Sequence, residues 1–72
     1  MNLDEQLGKN IQRLRKGKRL SQEYLANQIG MSPAYLRSIE HGTANPTLHA
    51  IVRIADCLET SVVALLSVDE QI

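Results

Sequence analysis

The run from Ser21 to Gly42, SQEYLANQIGMSPAYLRSIEHG, leaves a chain of this length little choice of fold. It reads as two short helices joined by a tight turn, with the second helix offered to a partner. Ser21 opens the first, because its hydroxyl can accept a hydrogen bond from a free N–H of the first turn. Glu23 places a negative charge where the helix dipole favours one. Leu25, Ala26 and Ile29 share one face. Gly30 takes a positive φ without steric cost and ends the helix, leaving Met31 as the apolar residue inside the turn. Ser32 then caps the second helix, and Pro33 suits its first position, where no N–H is needed. Leu36, Ile39 and the stem of Glu40 lie on one side. Ala34, Arg37, Ser38 and His41 lie roughly opposite, by steps of about 100° per residue. Gly42 marks the end. A carboxylate near a helix C-terminus is disfavoured by the dipole, so Glu40 calls for a cationic partner, for which Arg15 is the candidate.

Written from Leu20 to Gly42, the pattern L-S-Q-x-x-L-A-x-x-I-G-x-S-x-x-Y-L-x-x-I-E-x-G resembles the phage-repressor and Cro-like helix-turn-helix family, the XRE family, of bacterial and phage transcription regulators. The resemblance extends over roughly Leu7 to Leu66, and small stand-alone controllers and repressors are the relatives it suggests. It implies an all-α, compact five-helix, lambda-repressor-like DNA-binding domain over residues 1–72. The helix-turn-helix would be helices 2 and 3, about residues 21–41, with a dimerisation region at about 59–72. In this class the second helix enters the major groove and the first crosses the backbone. The resemblance also implies an ion pair between Arg15 and Glu40, and a Gln22 that touches a phosphate while bracing the recognition helix. Two departures stand out. Relatives often carry glycine directly before the leucine at Leu20, where this chain has Arg19, with Gly17 two residues earlier. Pro33 and Ala34 occupy places where relatives often carry polar base readers.

Net charge is zero, which taken alone argues against nucleic acid as a partner. Its distribution argues otherwise. Residues 1–41 hold seven Lys/Arg against four Asp/Glu, and residues 42–72 hold one against four. Six of the cations fall between Lys9 and Arg19, with no acid among them. A neutral chain can still present one basic face. The plainer reading of this pattern is a solvated helix surface balanced by an acidic tail. Leu, Ile, Val and Ala must build the core, since there is no Trp or Phe. A core this small is modest in stability, and two chains sharing an apolar face would add to it. The single Cys57 excludes an intrachain disulfide and fits a reducing compartment. No apolar run is long enough to span a membrane, and MNLDEQ lacks a secretory signal pattern, so a cytoplasmic protein is expected. Met1 and the tapering acidic end suggest a whole protein without a sensor domain.

Along the chain, Asn2 or Asp4 can cap a first helix running to about Lys16. Leu3, Leu7, Ile11 and Leu14 form its apolar stripe, with Lys9, Arg13 and Lys16 falling away from it. Asn10 and Arg13 are placed as possible phosphate neighbours. Lys18 and Arg19 add two cations at the DNA-facing edge. Arg37 and Ser38 are the best base-edge candidates, since arginine makes bidentate contacts to guanine and serine bonds several bases. Pro33 and Ala34 offer only apolar contact, for example to a thymine methyl, so specificity leans on Arg37 or on DNA shape. Tyr35 reads two ways: its hydroxyl reaches a phosphate, or it is a half-buried ring with a wet tip. Tyr24 is edge packing. His41 can touch a phosphate, and it also suits a helix C-terminus with no DNA present. Ser32, Thr43 and Asn45 complete the candidate DNA-binding set with Gln22, Pro33, Ala34, Tyr35, Arg37, Ser38, His41, Arg13 and Arg19.

Thr47 caps a fourth helix with a stripe at Leu48, Ile51, Ile54, Ala55 and Leu58. Glu59 and Thr60 break it, and Ser61 caps a last one. There Val62, Val63, Ala64, Leu65 and Leu66 are apolar on every side, so one face closes the core and another is left for a partner. Val63, Leu66, Val68 and Ile72 are the candidate homodimer contacts. His41, His49 and Cys57 are eight residues apart in turn, which is not a metal-ligand spacing, and no cofactor or metal is expected. No nucleophile, base and orienter set or Gly-rich phosphate loop suggests an enzyme. The expectation is a sequence-specific regulator acting as a homodimer on double-stranded DNA with a two-fold related operator. The alternative is an antitoxin-type protein-interaction module that covers a partner protein.

Overall fold

A computed structural model describes residues 2–68, which form five helices: α1 (Leu3–Gly17), α2 (Gln22–Ile29), α3 (Pro33–Glu40), α4 (Leu48–Cys57) and α5 (Val62–Leu66). The architecture is all-α among these residues. Every helix starts on a side-chain cap. Asn2, Ser21, Ser32, Thr47 and Ser61 each accept from a backbone N–H in the first turn that follows. One such bond satisfies one of the donors a helix start leaves without an internal partner.

The first four helices also end alike. In each, one residue turns left-handed and the next N–H reaches back to the carbonyl five residues earlier: Leu20 to Arg15, Met31 to Ala26, Thr43 to Ser38 and Thr60 to Ala55. Glycine holds the left-handed position after α2 and α3, at Gly30 and Gly42, but Arg19 (φ 60°) and Glu59 (φ 56°) hold it after α1 and α4. The turn before Leu20, where the family resemblance leads one to expect glycine, is therefore made here by a strained arginine.

α1 packs on α3 and α5, α2 packs on α3 and α4, and α4 packs on α5. Their shared core holds Leu7 and Ile11 of α1, Leu25, Ala26 and Ile29 of α2, and Leu36 and Ile39 of α3. Ile51, Ile54, Ala55, Leu58 and Leu65 close it from α4 and α5. Leu14, Leu20 and Met31 pack at its margin. Two residues of the expected stripes are not in it: Leu3 is 56% exposed and Leu48 is 69% exposed. Each is the first residue of its helix, one turn beyond the layer its neighbours cover, so the helical period carries the right face but past the end of the core. Asn10 also departs from expectation. It is buried and bonds the end of α5, so it is withdrawn from the phosphate candidates.

Candidate nucleic-acid interface

The two sides of α3 are built to opposite rules. Leu36, Ile39 and Glu40 are buried, while Ala34, Tyr35, Arg37 and His41 are exposed and Ser38 is half-buried. The buried side is fixed by one carboxylate. Glu40, whose side chain has no exposure, accepts from Arg15 Nε at 2.7 Å and from Arg15 Nη2 at 3.0 Å. Gln22 Nε2 donates to the same carboxylate at 3.0 Å, and Arg15 Nη1 donates to the Leu20 carbonyl at 2.7 Å. The end of α3, the end of α1, the α1–α2 turn and the start of α2 are thus tied at a single point. A bidentate arginine–carboxylate pair sets direction as well as charge. Among the described residues no buried side-chain nitrogen or oxygen lacks a hydrogen-bond partner.

Gly8 sets how closely α1 approaches this point. A Cβ there would stand 2.5 Å from the carbonyl oxygens of both Ile39 and Glu40, so only glycine lets the two backbones meet. Sequence reasoning passed over Gly8. Its signal was present, since glycine inside a helix costs about 1 kcal/mol against alanine and asks for a packing reason. Gly42 is constrained twice, by its φ of 77° and by Glu5, whose Cγ would lie 2.9 Å from an added Cβ.

Hydrogen bonding sorts the exposed candidates by what they have left to offer. Ser32 Oγ accepts from the Tyr35 N–H, so its own hydroxyl proton is free to donate. Gln22 spends one amide proton on Glu40 and keeps the other, with its carbonyl oxygen, for a ligand. Ser38 Oγ donates to the Ala34 carbonyl, and Thr43 Oγ1 donates to the Ser38 carbonyl. In this arrangement both hydroxyls are left as acceptors, which suits a base amino group and not a phosphate. The Arg37 side chain has no ion pair or hydrogen bond among the described residues, and neither has the Tyr35 hydroxyl. Pro33 is half-buried, while Asn45 and the apolar Ala34 are exposed.

The cations of residues 9–19 separate in the same way. Arg15 is structural. Lys18 Nζ lies 3.0 Å from Glu59 Oε1 and is partly neutralised. Lys9, Arg13, Lys16 and Arg19 are exposed, with no acidic partner among the described residues. Four uncompensated cations on α1 and its following turn, with Arg37 on α3, are what the basic run contributes to the surface.

At the other end, Val63 is 77% exposed, Val68 is exposed and Leu66 is half-buried. Ile72 lies outside the described residues. No helix among the described residues is long and apolar enough to cross a membrane, and none of their His, Cys, Asp and Glu side chains cluster to hold a metal.

Comparison with known proteins agrees with this arrangement. The profile of the helix-turn-helix family HTH_3 matches residues 11–65. The control protein C.SmaI of Serratia marcescens is 37% identical over 67 residues, which cover 93% of this chain and 80% of that one. The crystal structure of the restriction-modification controller protein C.AhdI from Aeromonas hydrophila superposes with a TM-score of 0.83 at 32% identity. That match covers 86% of this chain and 94% of the other. The biofilm master regulator SinR, solved in complex with DNA, superposes with a TM-score of 0.80 at 34% identity, covering 85% and 98% of the two chains.

Proposed function

We infer the function from one premise: this chain belongs to the HTH_3 helix-turn-helix family and is a DNA-binding transcription regulator. We propose that it acts as a homodimer on a two-fold related operator, in the cytoplasm, as a controller. The observation that carries this reading is α3 itself. Its buried side is locked by Glu40, and its open side presents Arg37, unpaired among the described residues, beside Ala34 and Ser38.

In this reading α3 lies in the major groove. Arg37 makes the main base contact, bidentate to a guanine. Ser38 accepts from a base amino group, and Ala34 and Pro33 rest against a thymine methyl. Ser32, Gln22, Tyr35, His41 and Asn45 face phosphates, with Thr43 as a bystander whose donor is already used. Lys9, Arg13, Lys16 and Arg19 supply the charge that draws the duplex in, and binding weakens steeply with salt. Val63, Leu66 and Val68 pair the two chains, so that two recognition helices enter successive major grooves about 34 Å apart. The likeness to C.SmaI and C.AhdI is what supports the controller reading.

Selection of bound sequences from a random duplex pool, at near-physiological salt, tests this. The expected result is a two-fold symmetric motif with guanine at one fixed place in each half. Absence of any enriched motif would overturn the operator reading. It would favour the antitoxin-type module instead, in which the exposed valines cover a different protein.

A further inference from the structure

Asn10 is a polar side chain held in the interior, 5% exposed, on the helix that also carries the exposed Lys9, Arg13 and Lys16. Its amide is fully used. Nδ2 donates to the Leu65 carbonyl at 2.7 Å and to the Ser67 carbonyl at 2.9 Å, while Oδ1 accepts from Gln6 Nε2 at 3.2 Å. The last carbonyls of a helix have no partner within it. Here a side chain from a helix far away in sequence supplies both donors, one at the last turn of α5 and one where the chain leaves it in extended conformation. α5 has only five residues. Leu65 anchors it in the core, but burial of an aliphatic side chain carries no direction. The two Asn10 bonds do.

The placement of Asn10 gives these bonds a consequence. Gly8, two residues earlier, is where α1 touches the end of α3. Within about half a turn of α1, one residue seats the recognition helix and another seats the helix that carries Val63 and Leu66. We propose that Asn10 is the positioning residue that fixes the direction of α5 relative to α3, and so sets the spacing between the half-sites that the dimer accepts. This rests on the dimeric reading above. Asn10 touches neither DNA nor the partner chain; it acts through α5.

The test is equilibrium binding to four duplexes built on the selected motif: one half-site, the full site, and full sites with one base pair inserted or removed. The wild type is expected to favour its own spacing by about tenfold or more, since shifting a half-site also rotates it about the DNA axis. Asn10→Leu keeps the size of the side chain and removes the bonds. It is expected to bind the half-site within about twofold of wild type, the limit for distant independent sites. Its affinities for the three full sites should then lie within about twofold of one another on the same criterion. Gln6→Met, which frees the Asn10 amide to turn, should shift the preference in the same direction by less. An Asn10→Leu protein that keeps the wild-type spacing preference would overturn the proposal. So would one that loses half-site and full-site binding equally, since that is the behaviour of a residue needed only for folding. If Asn10→Leu does not fold, Gln6→Met decides by the same criterion. A wild type that binds full sites no better than half-sites would overturn the dimeric reading itself, and the inference with it, which separates the two failures.

Discussion

α3 and α5 each leave one side uncovered, and the two uncovered sides differ in kind. α3 shows a cation, small side chains and hydroxyls, while α5 shows valine. What lies behind them differs as well. α3 is held through a buried charge that gathers donors from two other helices, whereas α5 is held by the buried Leu65, by Val62 and Leu66 packed at the core's edge, and by one amide. The joint before α3 is Gly30, free to turn left-handed, and the joint before α5 is Glu59, which does so under strain. A helix that reads a rigid duplex needs its pose fixed before it binds. A helix that pairs with its own copy can draw part of its order from the partner. Segregating the surfaces in this way lets a chain of zero net charge offer a basic face at one place and an apolar face at another.

Glu40→Ala breaks the hold on α3 and should have the largest effect. It leaves the buried Arg15 guanidinium without its counter-charge, and loss of one partner from a buried pair costs about 3–5 kcal/mol. Thermal unfolding would measure this; a loss below about 1 kcal/mol, the range of exposed pairs, would mean that the carboxylate does not organise the motif. Gly8→Ala attacks the same point sterically. Forcing extra volume into a packed contact costs about 1–3 kcal/mol, and the α1–α3 contact should loosen visibly by amide exchange at the end of α3.

The joints supply the smallest effects and the sharpest contrast. Gly30→Ala should destabilise by about 1–2 kcal/mol, the cost of a side chain in the left-handed region. Arg19→Gly should raise stability by about 0.5–1 kcal/mol, part of the same penalty being returned as chain entropy. Opposite signs in chemical denaturation at the two positions are the expected outcome. A destabilised Arg19→Gly would show that the arginine contributes to the fold as well as to the surface.

Much of this fold was legible in the sequence because its signals are local. Caps at Ser21, Ser32, Thr47 and Ser61, stops at Gly30 and Gly42, and the stripes of α2 and α3 each depend on residues within one or two turns. What was not legible depends on which helix lies across from which. Leu3 and Leu48 keep the helical period yet fall beyond the core, since period says nothing of where the opposing layer stops. Asn10 looks like any polar helix residue until the end of α5 arrives beside it. Gly8 gains its reason only when α3 is in place. At the candidate site, residue type indicated which side chains can donate or accept, but not which had already done so. Lys18 is engaged by Glu59 from the far end of α4, and the Thr43 and Ser38 hydroxyls by neighbouring carbonyls.

The measurement that bears most directly on two surfaces with two tasks is a comparison of Arg37→Ala and Val63→Asp on a half-site and on the full operator. Arg37→Ala should lose about 1–3 kcal/mol of discrimination on the half-site, the value of one bidentate base contact, and about twice that on the full operator, where two copies of Arg37 act. Its binding to random duplex should be nearly unchanged. Val63→Asp should leave the half-site and the monomer's melting unaltered within about 0.5 kcal/mol, as surface substitutions do. It should lose the full-site advantage, which on two linked sites is on the order of a hundredfold or more. Equal losses for both proteins on both duplexes would contradict the account, because the reading face and the pairing face would then be one surface.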